Sequence, residues 1–320
     1  MDFRRIQHFV HVAELGSLSR AAERLNIVQP ALSQSIKRLE EELDTLLFTR
    51  SRRGMELTET GHIFLKHAYG ILNQYNRAKE SLLTTAESPR GVVSVAMTAS
   101  ASEVLTVPLS KKLIQSFPDI NLNIESGLAG NIQQGFEAGK YDLVLSHLVQ
   151  PSASIRIEPL IQEDLFLTLP FDEDNLGEDI QFKELDNMQL TIPQEHHGVA
   201  PEIARYAKEK NMKILSAQVA GALHPTLQLI EAGLGNSILP WSAINERVAQ
   251  NRLSARKVIN PSLHHTVNMA YPAHRPLTPA AIAVMGLIRE TAQLVHSKGK
   301  WSGALLVSRK HPMPQMRSSS

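Results

Sequence analysis

Ser33, Gln34, Lys37 and Arg38 share one side of a predicted helix with Pro30, and Arg50, Arg52 and Arg53 surround a glycine turn shortly after it. These residue types suit contact with nucleic acid. The amide of Gln34 can pair with adenine, and the hydroxyl of Ser33 can serve several bases. Arginines at a hairpin tip can meet phosphates or enter the minor groove. Taken alone, such a helix face is equally consistent with an ordinary solvated surface, and a basic loop is often only a solubility feature. The elements around these residues decide between the readings.

Those elements begin with Phe3, Ile6, Phe9, Val10 and Ala13, whose helical spacing predicts an amphipathic first helix that stops at Gly16. Ser17 is the expected N-cap of a short second helix carrying Ala21, Ala22 and Leu25, where small side chains let another helix cross closely. Asn26, Ile27 and Val28 form the turn, and Gln29-Pro30 opens the third helix, where a first-turn proline is tolerated. At 100° per residue, Leu32, Ile36, Leu39 and Leu43 fall within roughly 60° and make a core stripe opposite the polar face. Leu46, Leu47 and Phe48 are expected to dock a wing hairpin around Gly54. A recognition helix presents its N-terminal residues to base edges, as the placement of Ser33 and Gln34 would.

The segments Ala21-Ala22, Gln29-Pro30-Ala31-Leu32-Ser33, Leu39-Glu40, Phe48-Thr49-Arg50 and Leu57-Thr58-Glu59-Thr60-Gly61 resemble those of the LysR-type transcriptional regulators. The likeness is dense over the first sixty or so residues and looser to about residue 295. The candidate DNA contacts are therefore Gln29, Pro30, Ala31, Ser33, Gln34, Lys37, Arg38, Arg50, Arg52 and Arg53. Val28 departs from the family, which commonly has Ser or Thr there. A capping hydroxyl worth about 1 kcal/mol is lost, and a phosphate contact through that cap with it.

After the wing, Thr58 is a plausible N-cap and Glu59 suits the positive helix end. Phe64, Ala68, Ile71, Leu72, Tyr75, Ala78, Leu82 and Ala86 then sustain one apolar stripe for almost thirty residues, on the order of 40 Å. A stripe that long asks for a partner helix, and the same helix of a second copy is the natural one. Packing on the chain's own second domain is the alternative. Ser88-Pro89-Arg90-Gly91 reads as a hinge.

The remainder alternates strand and helix: Val92–Met97, a helix from about Ser102 to Phe117 interrupted by Pro108, Ile120–Ile124, a helix near Gln133, and Tyr141–Leu145. A second series runs from Leu165 to Arg256, with strands near Leu190, Val219 and Ile238. The chain returns to the first series near Asn268–Tyr271 and closes with a helix from Pro279 to about Val295. Such βαβ order implies a mainly parallel sheet. Two α/β lobes joined by two crossings resemble the periplasmic-binding-protein fold; the crossings follow from the resemblance alone.

The expected organisation is a winged helix-turn-helix over 1–58, a linker and dimerisation helix over 59–87, a hinge over 88–91, and a two-lobed effector domain over 92–296. Lobe I takes 92–162 and 267–296, and lobe II takes 163–266. A basic tail, 297–320, follows and is read as disordered: no acidic residue follows Glu290, while Lys298, Lys300, Arg309, Lys310 and Arg317 do.

Ligands of open α/β sheets sit beyond the carboxyl ends of strands. The loops at Thr98–Ser102, Gly127–Asn131, Ser146-His147, Pro193–Gly198 and His224–Thr226 lie there. Hydroxyls and free amides at a helix N-terminus favour a carboxylate or another anion. The resemblance implies effector contacts at Thr98, Ser100, Ser102, Ser146, His196 and Thr226, although most Ser and Thr at such places are simply helix caps. No arginine lies in these loops, so no bidentate dicarboxylate clamp is evident.

Catalytic and metal signals fail. Gly233-Leu234-Gly235 lacks a third glycine and falls at a helix end. His196-His197 and His264-His265 are adjacent, so on a strand each pair points to opposite sides and rarely shares a metal. The chain has 320 residues, 13 histidines, no cysteine and a net charge of +1, so no disulfide or thiolate chemistry arises. No apolar run is long enough for a membrane span, and the N-terminus does not resemble a signal peptide. The expectation is a cytoplasmic, effector-controlled, sequence-specific DNA-binding regulator with no cofactor. Its expected partners are double-stranded DNA, a small effector and RNA polymerase, and the resemblance implies a homodimer or dimer of dimers. The alternatives are an effector-independent regulator, an enzyme or solute-binding module with an accessory DNA-binding head, and an architectural DNA protein. The last would not need two lobes with a polar cleft.

Overall fold

Asp2 caps the first helix, α1 (Phe3–Leu15), by accepting a hydrogen bond from the Arg4 amide. Gly16 ends the helix in the left-handed conformation at φ 59, which glycine adopts without a Cβ penalty. In the computed structural model, residues 2–51, 54–81, 88–173, 178–191, 200–218, 222–274 and 276–307 are described. The chain divides into two compact units, Met1–Thr85 with Gln134–Lys140, and Ala86–Gln133 with Tyr141–Ser320.

In the first unit, the Ser17 hydroxyl accepts the Arg20 amide and starts α2 (Leu18–Arg24). Asn26 takes a positive φ in the turn before α3 (Gln29–Leu43). The strands β1 (Phe48–Ser51) and β2 (Gly54–Leu57) form the antiparallel wing, and α4 (Glu59–Ser81) follows. Ile6, Phe9, Ala21, Leu32, Ile36, Leu39, Leu47 and Phe48 make one core. Leu46, expected to dock the wing with its neighbours, is instead exposed. Its carbonyl is what docks, accepting the hydroxyls of Thr58 and Thr60, each at 2.7 Å. The Thr58 hydroxyl also accepts the Gly61 amide, as an N-cap does. Gly61 is required by close approach: a Cβ there would lie 2.1 Å from the Leu47 carbonyl oxygen.

The second unit runs β3 (Gly91–Thr98), α5 (Ala99–Ser116), β4 (Ile120–Gly127), α6 (Ala129–Glu137, whose last residues group with the first unit), β5 (Leu143–Ser146) and the long β6 (Ile155–Pro170). Then come β7 (Ile180–Gln181), β8 (Gln189–Thr191), α7 (Ala200–Glu209), β9 (Leu215–Gln218), α8 (Leu223–Glu231), β10 (Ser237–Pro240) and α9 (Trp241–Ala249). The chain closes with β11 (Leu253–Ile259), β12 (His264–Pro272), α10 (Pro279–Ser297) and β13 (Gly303–Leu305).

Two lobes emerge from the packing. Val93, Leu105, Leu143, Ile161, Val267, Met269 and Ile288 belong to one core, and Leu165, Leu167, Phe182, Leu190, Ile238 and Val258 to another. The crossing is made by β6 itself. Its first part, Ile155–Asp164, pairs with β12, and its last residues, Leu165–Pro170, pair with β10 and β11. Strands β3, β4 and β5 are parallel, as the βαβ order predicts, but β6 and β12 run antiparallel because the chain leaves lobe I and returns beside its own exit. Arg289 on α10 holds β6 through a bidentate pair with Glu158, at 2.6 and 2.7 Å, and Glu158 holds the Arg289 guanidinium above its ordinary pKa.

Two expectations are corrected here. Helix α5 begins at Ala99 and runs unbroken through Pro108. Proline there removes one helical hydrogen bond, but the buried residues Leu105, Leu109 and Leu113 hold the helix on the sheet. The chain after 296 is also not wholly disordered: Trp301 is fully buried, and β13 pairs with Ile161–Glu163 of β6. Burial of an indole outweighs the polar, basic composition of this stretch.

Candidate functional site

Helix α3 exposes one face as its spacing predicts. Leu32, Ile36 and Leu39 are buried, while Gln29, Pro30, Ala31, Gln34, Lys37 and Arg38 are exposed and Ser33 is half-buried. The N-cap Val28 is 69% exposed and makes no side-chain cap, so the first-turn amides of α3 have no hydroxyl in front of them. Lys37 reaches Glu41 at 3.6 Å, but both are exposed, so the pair contributes little. Glu40, on the inner flank, accepts the Leu47 and Phe48 amides at 2.8 and 3.1 Å and so fixes the wing to the helix. Arg50 lies on β1, and Arg52 and Arg53 fall outside the described residues. Behind the face, His8 Nδ1 meets the Ser35 hydroxyl at 2.7 Å. Burial pushes His8 and His11 below the ordinary imidazole value, with Arg4 adding to the effect at His8.

The second site is a cleft between the two lobes of the effector unit, about 640 Å³ counting the part open to solvent. Thr98, Ser100, Gly127 and His147 line it from lobe I, and Leu223, Thr226, Ile238 and Pro240 from lobe II. Thr98, Ser100 and Thr226 are thus brought together as the resemblance implies, with the Thr226 hydroxyl bonded to the Ala222 carbonyl at 2.9 Å. Ser102 and Ser146 are not lining residues. Because α5 starts at Ala99, Ser102 lies inside the helix, its hydroxyl 2.9 Å from that of Thr106. Ser146 is fully buried, its hydroxyl accepting the Leu148 amide at 3.2 Å. His196 lies outside the described residues.

Sequence reasoning missed His265 and Glu163. His265 lines the cleft, its ring stacked on His147 with centroids 4.5 Å apart and planes 13° from parallel. Its Nε2 lies 3.1 Å from Oε2 of Glu163, which is fully buried and whose Oε1 accepts the Ser242 amide at 3.2 Å. A signal existed. The two-residue strand period places Glu163 in line with Ile161, Leu165 and Leu167, and His265 with Val267 and Met269, all buried. His264 is exposed, so that histidine pair does point to opposite sides. Gly233 follows the end of α8, as the helix-stop reading requires. Among the described residues, no group of three His, Asp or Glu side chains is placed to hold a metal ion, and no helix is long and apolar enough to cross a membrane.

Residues 3–62 match the bacterial regulatory helix-turn-helix protein, lysR family, and residues 86–293 match the LysR substrate binding domain. The chain belongs to the LysR family. Its relatives include the nitrogen assimilation regulatory protein nac of Klebsiella aerogenes, 30% identical over 292 residues that cover 90% of this chain and 94% of that protein. Nac of Escherichia coli (strain K12) is 28% identical over 306 residues, covering 94% and 99%. Phe3-Arg4-Arg5 and Gln29–Gln34 already suggest that relation. CbnR, a LysR family transcriptional regulator, shares the fold with TM-score 0.68 at 23% identity, covering 91% of this chain and 99% of that one. Full-length CbnR complexed with its target DNA gives TM-score 0.53 at 25% identity, covering 91% and 100%. This LysR family member is a transcriptional regulator with an effector-binding domain; its relatives are regulators, not enzymes.

Proposed function

We propose that α3 and the wing bind operator DNA in the cytoplasm, that α4 pairs two copies, and that a small effector in the cleft of the 92–296 domain controls them. The observation that carries this reading is the exposed polar face of α3 set against its fully buried stripe. Gln29, Pro30, Ala31, Ser33, Gln34, Lys37 and Arg38 supply base and near-backbone contacts, and Arg50, Arg52 and Arg53 supply phosphate contacts. The complex of CbnR with its target DNA supports the same use of this head. Exposed Ile63, Ile71 and Tyr75 on α4 support a homodimer, which a dimer of dimers would extend, and RNA polymerase is the further partner of a regulator. Thr98, Ser100 and Thr226 contact the effector, and His196, outside the described residues, is the further candidate contact.

A binding titration against operator variants, selected from random DNA, tests the division of labour. Gln34→Ala relaxes the preference at one base pair, whereas Arg52→Ala weakens binding to every sequence and flattens the salt dependence. Equal, sequence-independent losses from both changes overturn it.

A further inference from the structure

Two strands cross between the lobes of the effector unit, β6 at Asp164-Leu165 and the stretch from Leu263 into β12. A hinge of two strands permits one lobe to turn against the other. The segment after α10 adds a third connection. It lies beyond residue 293, where the match to the LysR substrate binding domain ends.

One edge of β6 carries two strands laid end to end. β10 of lobe II covers Leu165–Thr168, and β13 covers Ile161–Glu163. Asp164 lies between them. Its amide donates to the Ser302 carbonyl at 3.3 Å. Its Oδ2 accepts the Ser302 hydroxyl at 3.1 Å and Nζ of Lys257, on β11 of lobe II, at 2.8 Å. Two more contacts reach α9. The Trp241 indole N–H donates to the Gly299 carbonyl at 2.8 Å, and Lys300 Nζ meets Glu246 Oε1 at 3.1 Å. α9 belongs to lobe II, since Ala243 and Ile244 pack with Leu227, Ile230 and Leu253.

The segment itself is anchored in lobe I. Trp301 is fully buried in the lobe I core, and the Leu306 amide donates to the Leu160 carbonyl at 2.9 Å. Gly303 sits so close to β6 that a Cβ would collide with the Gln162 carbonyl. An exposed pair such as Lys300–Glu246 is weak alone. With Trp301 pinned, however, the contacts of its neighbours cost little further ordering and act together.

We infer that residues 298–307 brace the hinge between the lobes. Anchored in lobe I by Trp301 and β13, they hold α9 and β11 of lobe II and so restrain the angle between the lobes. Ile238, Leu239 and Pro240, which lead directly into Trp241, line the cleft, so the strand that the brace steadies is a wall of that cleft. Releasing the brace widens the cleft while both lobes stay folded.

The test measures cleft width. The chain has no cysteine, so a pair of introduced ones is labelled alone. Asn131 on α6 and His224 on α8 are exposed and flank the cleft, which Leu128, Ala129 and Leu223 line. Spin labels on Asn131→Cys and His224→Cys report the distance by double electron–electron resonance. The labelled full chain is diluted with unlabelled chain so that only distances within one copy are read. Trp241→Phe, Lys300→Ala and Ser302→Ala together cut the brace, keeping a ring against Phe166 and leaving Trp301 and its strand in place. The expected result is a broader distribution with added longer distances. Of the two tryptophans only Trp301 remains in this variant, and its emission should stay as blue as in Trp241→Phe alone. A distribution identical to that of the intact chain overturns the inference. Widening with a red shift of Trp301 emission also overturns it, because lobe I has then lost structure. If the triple variant does not fold, Trp241→Phe with Lys300→Ala is read the same way: a smaller broadening supports the brace and an identical distribution overturns it.

Discussion

The DNA-reading head and the effector cleft solve the same problem, placing polar groups for recognition, in opposite ways. In the head, the residues proposed to read DNA bases ride on one helix at helical spacing, and the stripe that holds the helix faces away from them. In the cleft, the polar groups come from separate elements of both lobes, and two of them, Glu163 on β6 and His265 on β12, are 102 residues apart in sequence and are themselves buried. The lesson is that function and stability are separable in the head and interwoven in the cleft.

Substitutions can break that contrast. The largest effect is expected from Glu163→Ala, which opens a cavity and strips a partner from His265 and from the Ser242 amide. It should destabilise the effector unit by about 3 kcal/mol in chemical unfolding. A loss within experimental error would mean the cleft is as separable as the head. Gln34→Ala should cost about 1–3 kcal/mol of discrimination at its base while leaving the unfolding midpoint unchanged, since the side chain is exposed. A clear drop in stability would show that the reading face also holds the head together. Val28→Ser sharpens the contrast in the other direction. Restoring a hydroxyl N-cap to α3 should stabilise the head by about 1 kcal/mol, read as a rise in its melting temperature.

The smallest effect concerns pH. The imidazoles of His8 and His11 sit below their ordinary value of 6.5 in the folded head. At neutral pH and above, both states are unprotonated and these groups contribute nothing. As pH falls through 6.5, the unfolded chain takes up protons that the folded head resists, so head stability declines on acidification. His8→Gln should flatten that part of the stability–pH profile; an unchanged slope would place its origin elsewhere.

The same contrast explains what could be read from sequence. The head was legible down to its caps at Ser17 and Thr58 and its missing cap at Val28, because helix period and capping are local properties. The βαβ order and the helix stop at Gly233 were legible for the same reason. Ser102 was misplaced by a start of α5 three residues earlier than expected, which turned a terminal hydroxyl into an internal one. The Glu163–His265 pair was not legible as a pair: strand parity marks each residue as inward, but only the pairing of β6 with β12 brings them side by side. Trp301 was lost in a stretch whose composition reads as tail.

That tryptophan bears on how fragments of this protein should be cut. The match to the LysR substrate binding domain stops at residue 293, before the end of α10, and a truncation there removes both the indole and the edge strand β13. Gly303 of β13 lies opposite Glu163 in the pairing, so the shortened fragment would have a hole in lobe I and an open sheet edge directly behind the cleft. Edges of that kind invite intermolecular pairing. A fragment ending at Val307 keeps the clasp, and aggregation or weak ligand response in the shorter one would reflect the cut rather than the regulator.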